Sequence, residues 1–494
     1  MAVSATAHVS FNATMDVSGT VSKLMAVKSA EITKVQNKQT VLQTDIAAWG
    51  DVSSSLSTLS SDLNTLQDWD TWNTMKVTSS NSEQFTATAA STASAATYSV
   101  SISHIAQAHT VASSSASTLG LSGVTDTLVG KVAGLIAGDQ FKIGSTSTQI
   151  VTIDATDTLS SLCGKINTAS DLLPAADQVT ASILDNRLVL SRTSTGSTSL
   201  GLTNLSGSPL DRLGVKTGAS FNTELTAPLD ALFSVNGLSI TRSSNANLTD
   251  VIPGVTLNLL QPTENSDGSI GTGYLTVAHD TDIVKTAINS VITDYNAVVK
   301  KIGSYTSIDL SNPKQPITGE LQDDLMIMPI LYNLRKLFIQ DKQPNMNSSN
   351  ASYTYNGQTG IMSSLAAIGV GTSSEVNSLS ITDSARLESA LTNHFSEVEQ
   401  LMRGVQTDSG LQHGVAADLY TYTSNLSESM TGQIAQHVAT IQEKYNSLGA
   451  DILKMTSEAS SYEQALWTQF DAMDQAMQNM QSQVSYITNA FGSK

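Results

Sequence analysis

Residues Val17 to Leu66 read VSGTVSKLMAVKSAEITKVQNKQTVLQTDIAAWGDVSSSLSTLSSDLNTL, and the spacing of their apolar side chains decides the fold class. Val17, Val21, Leu24, Ile32, Val35, Leu42, Ile46, Trp49, Val52, Leu56, Leu59, Leu63 and Leu66 recur mostly three or four residues apart, with Lys28 and Gln39 standing at stripe positions. That spacing follows the turn of an α-helix and puts the apolar groups on one face. Gly50 lies inside the run. A glycine there costs about 1 kcal/mol relative to alanine, so a break or a domain boundary is expected near it.

The other end of the chain answers this stripe. Ile434, Val438, Ile441, Tyr445, Leu448, Ile452, Met455, Tyr462 and Leu466 keep a heptad-like alternation, and Phe470, Met473, Met477, Met480, Val484 and Ile487 resume it. The step of four from Leu466 to Phe470 follows another step of four from Tyr462, a stutter that locally unwinds a supercoil. Each stripe needs an apolar partner, and the other is the nearest one available, so the two ends are expected to form a coiled coil within or between chains.

Between the ends the period changes to two. Thr97 to Ile102, Phe233 to Val235 and Val255 to Leu259 alternate as half-buried strands do, bounded by Gly, Asn, Asp and Ser. Val151-Thr152-Ile153 leads to a helix cap at Asp157 or Thr158, after which Leu159, Leu162, Cys163 and Ile166 share one helical face. Val179, Ala181 and Ile183 then run into an Asp185-Asn186 turn, from which Leu188 and Leu190 return on a second strand. After Asp280 the helical period resumes through Ile283, Ala287, Val291, Tyr295, Val298 and Ile302, and a second helix runs from Leu325 to Phe338. Pro313, Pro316, Asn345 to Asn350 and Gly357 to Gly360 mark loops around it. Helix, sheet and helix in succession imply strand domains inserted into a helical bundle, with both ends of the insertion returning to one place.

A chain of 494 residues exceeds a single core and implies several domains. Its net charge of -18 repels nucleic acid and anionic membrane surfaces, and no Lys/Arg run relieves that repulsion locally. Only 14% of residues are charged, and Ser, Thr, Asn and Gln carry the solubility, a composition suited to an extracellular polymer. Residues Met1 to Asn12 lack the basic and long apolar regions of a cleavable signal peptide, and no apolar stretch is long enough to span a bilayer.

The residue types that carry chemistry do not converge. Cys163 is the single cysteine, which excludes an intrachain disulfide and a multi-cysteine metal site, and its place on an apolar helix face makes it a small core residue. His104 and His109 are five apart, unlike the helical zinc spacing, and read as polar strand or loop residues; His279, His394, His413 and His437 are scattered. Gly271-Thr272-Gly273 is a fragment of a phosphate loop and reads as a turn after Asp267-Gly268. No hydrolase, Walker or calcium-loop motif is present. The expectation is therefore no enzyme, no cofactor and no metal.

Several segments carry a family resemblance. Met15-Asp16-Val17-Ser18-Gly19-Thr20-Val21-Ser22-Lys23-Leu24-Met25 is similar to the opening signature of the flagellar hook-associated protein 2 family, with Thr14-Met15 in place of the usual Gly-Leu or Gly-Ile. Ala96 to Val100 with Ile105 to His109, then Leu248 to Leu257, then Ile368-Gly369-Val370 with Leu379-Ser380-Ile381, Leu387, Ala390 and Leu391, resemble further family segments in the family's order. The strand, helix and hairpin from Val151 to Leu190 also resemble a module shared with flagellins.

The resemblance implies an α+β multidomain fold: long terminal coiled-coil helices and a helical bundle leg domain, with inserted antiparallel strand-rich domains. The expected divisions are 1–43 for the N-terminal helical segment, 44–76 and 280–432 for the leg domain, 77–118 and 228–279 for one strand-rich domain, 119–227 for a second, and 433–494 for the C-terminal helix. It further implies a homo-oligomeric cap at the extracellular tip of the bacterial flagellar filament, exported without a cleavable signal. The implied partners are other copies of the chain, flagellin, hook-filament junction proteins and a cytoplasmic export chaperone. For the chaperone, Met473, Met477 and Met480 offer an adaptable apolar stripe. A surface adhesin at the flagellar tip is the alternative reading; Trp69 and Trp72, at the end of the first helix, are read as packing groups rather than sugar platforms.

Overall fold

The computed structural model describes residues 16–263, 269–311, 317–341, 352–355, 358–407 and 410–491. Thr14-Met15, Asp267-Gly268, Pro313, Pro316, Asn345 to Asn350 and Gly357 lie outside the described residues. The chain divides into two compact units, Met1–Thr71 with Thr281–Lys494, and Trp72–Asp280. Among the described residues the helices are α1 (Val17–Gln67), α2 (Trp69–Asn73), α3 (Leu159–Ser170), α4 (Pro209–Arg212), α5 (Thr281–Thr306), α6 (Ile327–Ile339), α7 (Ser384–Asn393), α8 (Phe395–Arg403), α9 (Val415–Ser427) and α10 (Gln433–Phe491).

The first unit is helical, and α1 is its axis. Asp16 caps α1 by accepting the Gly19 amide at 2.7 Å, and the helix then runs unbroken to Gln67. The break expected at Gly50 does not occur. A single glycine loses backbone entropy but no hydrogen bond, and buried neighbours on both sides, Trp49 and Val52, hold the turn in place. From there on, Trp49, Val52, Leu56, Leu59, Leu63 and Leu66 are 0–2% exposed. α5, α9 and α10 pack around α1. Each large aliphatic group buried this way contributes about 1.5–3 kcal/mol over the exposed state.

α5 turns Val284, Ala287, Ile288, Val291, Tyr295, Val298 and Ile302 inward. Ile283 is off that line and 39% exposed, because Val284 takes the inward position. The Tyr295 ring meets Phe338 of α6 edge-on at 4.6 Å, and its hydroxyl donates to the Asn377 carbonyl at 2.9 Å, so the polar end of a buried ring is satisfied. α6 begins at Ile327, and Leu325, expected within it, precedes it fully in solvent.

The second unit is built of antiparallel sheets around two cores. A five-stranded sheet runs in the order Met75–Ser79, Gly273–His279, Ala96–His104, Ala231–Val235, Leu238–Arg242. Met75 pairs with His279, and the Asp280 amide donates to the Thr74 carbonyl at 2.8 Å, so the first and last strands of the unit are hydrogen-bonded neighbours. Val100, Ile102, Phe233, Leu275 and Val277 of this sheet join Phe85 and Leu257 of a three-stranded sheet in one core. The second core collects Leu128, Phe141, Val151, Leu162 and Leu190 beneath a four-stranded and a three-stranded sheet.

Local sequence explains much of that second core. Thr158 caps α3 through a reciprocal exchange with Ser161, and Leu159, Leu162 and Ile166 turn inward while Cys163 is half-buried beside them. Burial pushes the Cys163 thiol up, away from the reactive thiolate. Asp185 and Asn186 take φ of 48° and 56°, the left-handed pair that a tight hairpin requires. His109 lies in the loop before the strand Thr110–Ala112, as a polar loop residue, and is buried there. It is 1% exposed, its Nδ1 accepts the Leu200 amide at 2.8 Å, and its Nε2 lies 2.9 Å from Glu224. Desolvation holds its pKa below the ordinary histidine value. It is a buried strut between loop and strand, with Nδ1 bound to the Leu200 amide and Nε2 facing Glu224 without a hydrogen bond of good geometry.

Candidate functional site

α1 and α10 run side by side in opposite directions. Trp49 touches His437 with ring centroids 5.2 Å apart, and the side chain of Gln39 donates to the Tyr445 carbonyl at 3.2 Å, so moving back along α1 moves forward along α10. Gly449 lies where an added Cβ would come within 3.0 Å of Gln39 Nε2, a close approach that a glycine permits. The two apolar stripes read from the sequence therefore face each other within one chain.

Burial along the pair is uneven. Val21, Ile434, Ile441 and Leu466 are buried, at 2%, 1%, 7% and 8% exposed. Val17, Ile32, Val35, Leu42, Ile46, Val438, Tyr445, Leu448, Ile452 and Met455 are half-buried, as expected where a helix meets a single partner. Leu24 and Tyr462 point away, each 40% exposed. Beyond Leu466, Met473 and Met477 are half-buried, and Met480, Val484 and Ile487 are 59%, 61% and 56% exposed. The last turns of α10 thus carry an apolar stripe into solvent.

A polar knot closes the inner end of the pair, and the sequence reading missed it. The Trp49 indole donates to Asp324 Oδ2 at 2.9 Å, His437 Nε2 meets the same oxygen at 2.7 Å, and the Met326 amide donates to Oδ1 at 2.9 Å. Burial works to raise the Asp324 carboxyl, but the Met326 amide, His437 and Trp49 outweigh it and hold it below the ordinary carboxylate range. Beside it on α1, Asp45 has one buried oxygen with no partner. Burial first, then the charges of Asp324 and Glu320, push its pKa up to about 6. The one sequence clue was a tryptophan on a buried stripe, whose N–H needs an acceptor.

Other ties hold α1 to its neighbours. Asp51 accepts from the Tyr305 hydroxyl at 2.6 Å and from Lys301 at 3.1 Å, both on α5. Arg403 donates to the Gln67 carbonyl at 2.9 Å while its guanidinium lies 4.9 Å from the Trp69 ring centre. Trp72 is buried, and Trp69 remains 58% exposed with that cation over it. Among the described residues no cluster of His, Cys, Asp or Glu could hold a metal ion, and no helix is long and apolar enough to cross a membrane.

Comparison with known proteins agrees with this architecture. Residues 229–482 match the family model of the flagellar hook-associated protein 2 C-terminus, and residues 13–109 match that of its N-terminus. Flagellar hook-associated protein 2 of Escherichia coli K12 is 26% identical over 495 residues, covering 97% of this chain and 96% of its own. The Vibrio cholerae protein of the same name is 30% identical over 273 residues, covering 55% of this chain and 36% of its own. The crystal structure of the D1-D2-D3 domains of the flagellar cap protein FliD from Escherichia coli aligns with a TM-score of 0.50 at 23% identity, over 80% of this chain and 99% of that one, and so shares the fold. With more than half its length inside the C-terminal family model and the N-terminal model matched in the right place, the chain belongs to the flagellar hook-associated protein 2 family, the flagellar cap proteins.

Proposed function

We propose that the chain works as a homo-oligomeric cap at the distal tip of the flagellar filament, promoting polymerisation of exported flagellin and preventing its loss to the medium, with the paired terminal helices as the part that seats it. The observation that carries this reading is the uneven burial of α1 and α10. Their inner ends are locked into a bundle, while the outer ends are held by one partner and finish in exposed Met480, Val484 and Ile487. A stripe left open in this way gains by covering its apolar surface against a neighbouring copy or against flagellin.

The same open end suits an export chaperone before secretion. Met473, Met477 and Met480 lie on one face, and flexible thioether side chains fit a partner groove with little strain. Contact with hook-filament junction proteins belongs to this reading as well, as does location at the flagellar tip outside the cell.

Replacing Ile441 and Leu448 with Asp tests the proposal. The substitutions remove about 2–3 kcal/mol of apolar burial at Ile441, less at the half-buried Leu448, and put two carboxylates between the helices. Cells carrying the double variant are expected to secrete flagellin as monomer and to grow few filaments, while the strand-rich unit melts as before. Normal filaments would place the attachment elsewhere, and intact filaments with lost adhesion would favour the adhesin. For the chaperone, a chain truncated after Ser461 is expected to fail in a pull-down that recovers the full chain.

A further inference from the structure

The two cores of the strand-rich unit are joined by a narrow neck. Residues 105–109 lead out of the first core and residues 227–230 lead back, with Gln107 paired to Leu229 where they pass. A loop, 193–200, leaves the second core after the strand Arg187–Arg192 and lies against both segments. Its Gly196 amide donates to the Gln107 carbonyl at 3.1 Å. Residues at the ends of first-core strands hold its middle: the Ser197 amide and hydroxyl each donate to Asp230 at 2.7 Å, and the Thr195 hydroxyl donates to the Ser243 carbonyl at 2.6 Å. His109 and Arg192 hold its far end, at Leu200 and Ser199.

The two holders differ in how they depend on protons. Arg192 is always charged, and its guanidinium donates to the Ser199 carbonyl at 3.4 Å, to the Ser194 hydroxyl at 3.0 Å and to the Ala176 carbonyl. His109 Nδ1 accepts the Leu200 amide at 2.8 Å, which an imidazole nitrogen does only while it carries no hydrogen. The hydrogen of the neutral ring is then on Nε2, and a second proton has Nδ1 as its one place to go. There it points at the Leu200 N–H, donor against donor, and the bond is lost.

The charged groups around the ring come from several elements. Arg192 stands opposite His109 across the ladder, its amide donating to the His109 carbonyl at 2.9 Å, and its charge opposes a second cation. Glu224, on the strand Glu224–Thr226, lies 2.9 Å from Nε2 and favours one, but its side chain is 46% exposed and out of line for a good hydrogen bond. Phe221 meets the imidazole edge-on at 4.8 Å, with the Lys216 ammonium 4.9 Å from its ring centre. Asp230 reaches the loop through Ser197, and Asp177 is taken up by the amides of Ser145, Thr146 and Ser147. With the ring 1% exposed, desolvation outweighs Glu224.

We infer that the loop 193–200 is a proton-released clasp on the neck: neutral His109 fastens its end at Leu200, and protonation of Nδ1 frees that end and lets the two cores shift about the neck. The clasped form takes up the second proton less readily than the open form. Clasping is therefore complete above the ordinary histidine value of 6.5 and is given up as pH falls below it.

Amide hydrogen exchange of the full chain tests this between about pH 7.5 and about pH 5, each rate being corrected for that of an unstructured peptide at the same pH. Protection of Leu200 is expected to fall at least about tenfold over that range, with Gly196 and Ser197 loosening alongside it and the strands of both cores unchanged. His109→Asn puts an oxygen that cannot be protonated where Nδ1 stands, and is expected to hold Leu200 equally at both ends of the range. His109→Phe fills the space without an acceptor and is expected to leave Leu200 unprotected throughout. NMR titration of the His109 ring in the parent needs no variant: Nδ1 is expected to be bare at high pH and to gain its proton as Leu200 loosens. Leu200 protection that stays flat in the parent overturns the clasp, as does a ring that titrates while Leu200 stays protected. An Asn variant that loosens as the parent does assigns the proton to another group, and Leu200 loosening without Gly196 and Ser197 breaks the link to the neck; either result also overturns the inference.

Discussion

Trp49 and Leu24 lie on the same apolar line of the same helix, yet Trp49 is 0% exposed and Leu24 is 40% exposed. The helix has similar propensity in both places; its surroundings differ. Around Trp49 it is tied to α5 through Asp51 and to α10 through His437 and the Asp324 knot, whereas Leu24 lies off the buried seam. A two-helix contact buries a narrow seam and leaves the flanks of each stripe wet, so long helices in such a pair are marginal without further partners. One α-helix thus serves as the core of a domain at one end and as an unfinished interface at the other.

The largest effect is expected at the inner end. Trp49→Ala removes a fully buried ring and one of the two partners of Asp324 Oδ2, and should cost about 3–5 kcal/mol. Chemical denaturation followed by far-UV circular dichroism reads this as an early helical transition. A loss below about 1 kcal/mol would erase the distinction between the two ends.

Asp45 gives the comparison a pH dependence. Its folded pKa, pushed up to about 6 from 3.8, lies above that of the unfolded chain. The folded state therefore binds the proton more tightly, and the stability this contributes is full below pH 4 and lost as pH rises through 6. Asp45→Asn should escape that loss and be more stable than the parent at pH 7.5 by about 1–2 kcal/mol, after discounting for partial exposure, with the advantage gone near pH 4. Equal melting of the two chains at both pH values would show that Asp45 is solvated like a surface residue.

Smaller still is the expected gain from Gly50→Ala. A Cβ there meets nothing within 4 Å, and the backbone is already helical, so the substitution should stabilise by about 0.5–1 kcal/mol, chiefly by restricting the unfolded chain. Destabilisation would mean that the helix needs to bend at Gly50 in a way the straight form does not display. Least of all, Leu24→Ala should change the melting of the isolated chain by under about 0.5 kcal/mol. If it also slows filament growth, the outer stripe is shown to act in assembly and not in folding.

The helical ends were legible because a seam between helices writes itself into the sequence as a period, and Val21, Ile434, Ile441 and Leu466 stand on it as buried residues. The α3 cap at Thr158 and the Asp185-Asn186 turn were legible for a different reason: their requirements are satisfied within a few residues. The uninterrupted path through Gly50 was not, since packing by distant helices outweighs a local cost of about 1 kcal/mol. Nor was the burial of His109, whose partners Leu200 and Glu224 are far away in sequence.

What the sequence determined by itself is the kind of element at each place and the face each turns inward, because period, cap and turn chemistry act over one or two turns of chain. Tertiary structure alone decided which charges meet. Asp324 joins Trp49 and His437, residues 275 and 113 positions away in the chain, and Ile283 is turned out into a groove between α1 and α5. Coulomb interactions and desolvation depend on distance in space, and the chain order of these residues carries no record of that distance.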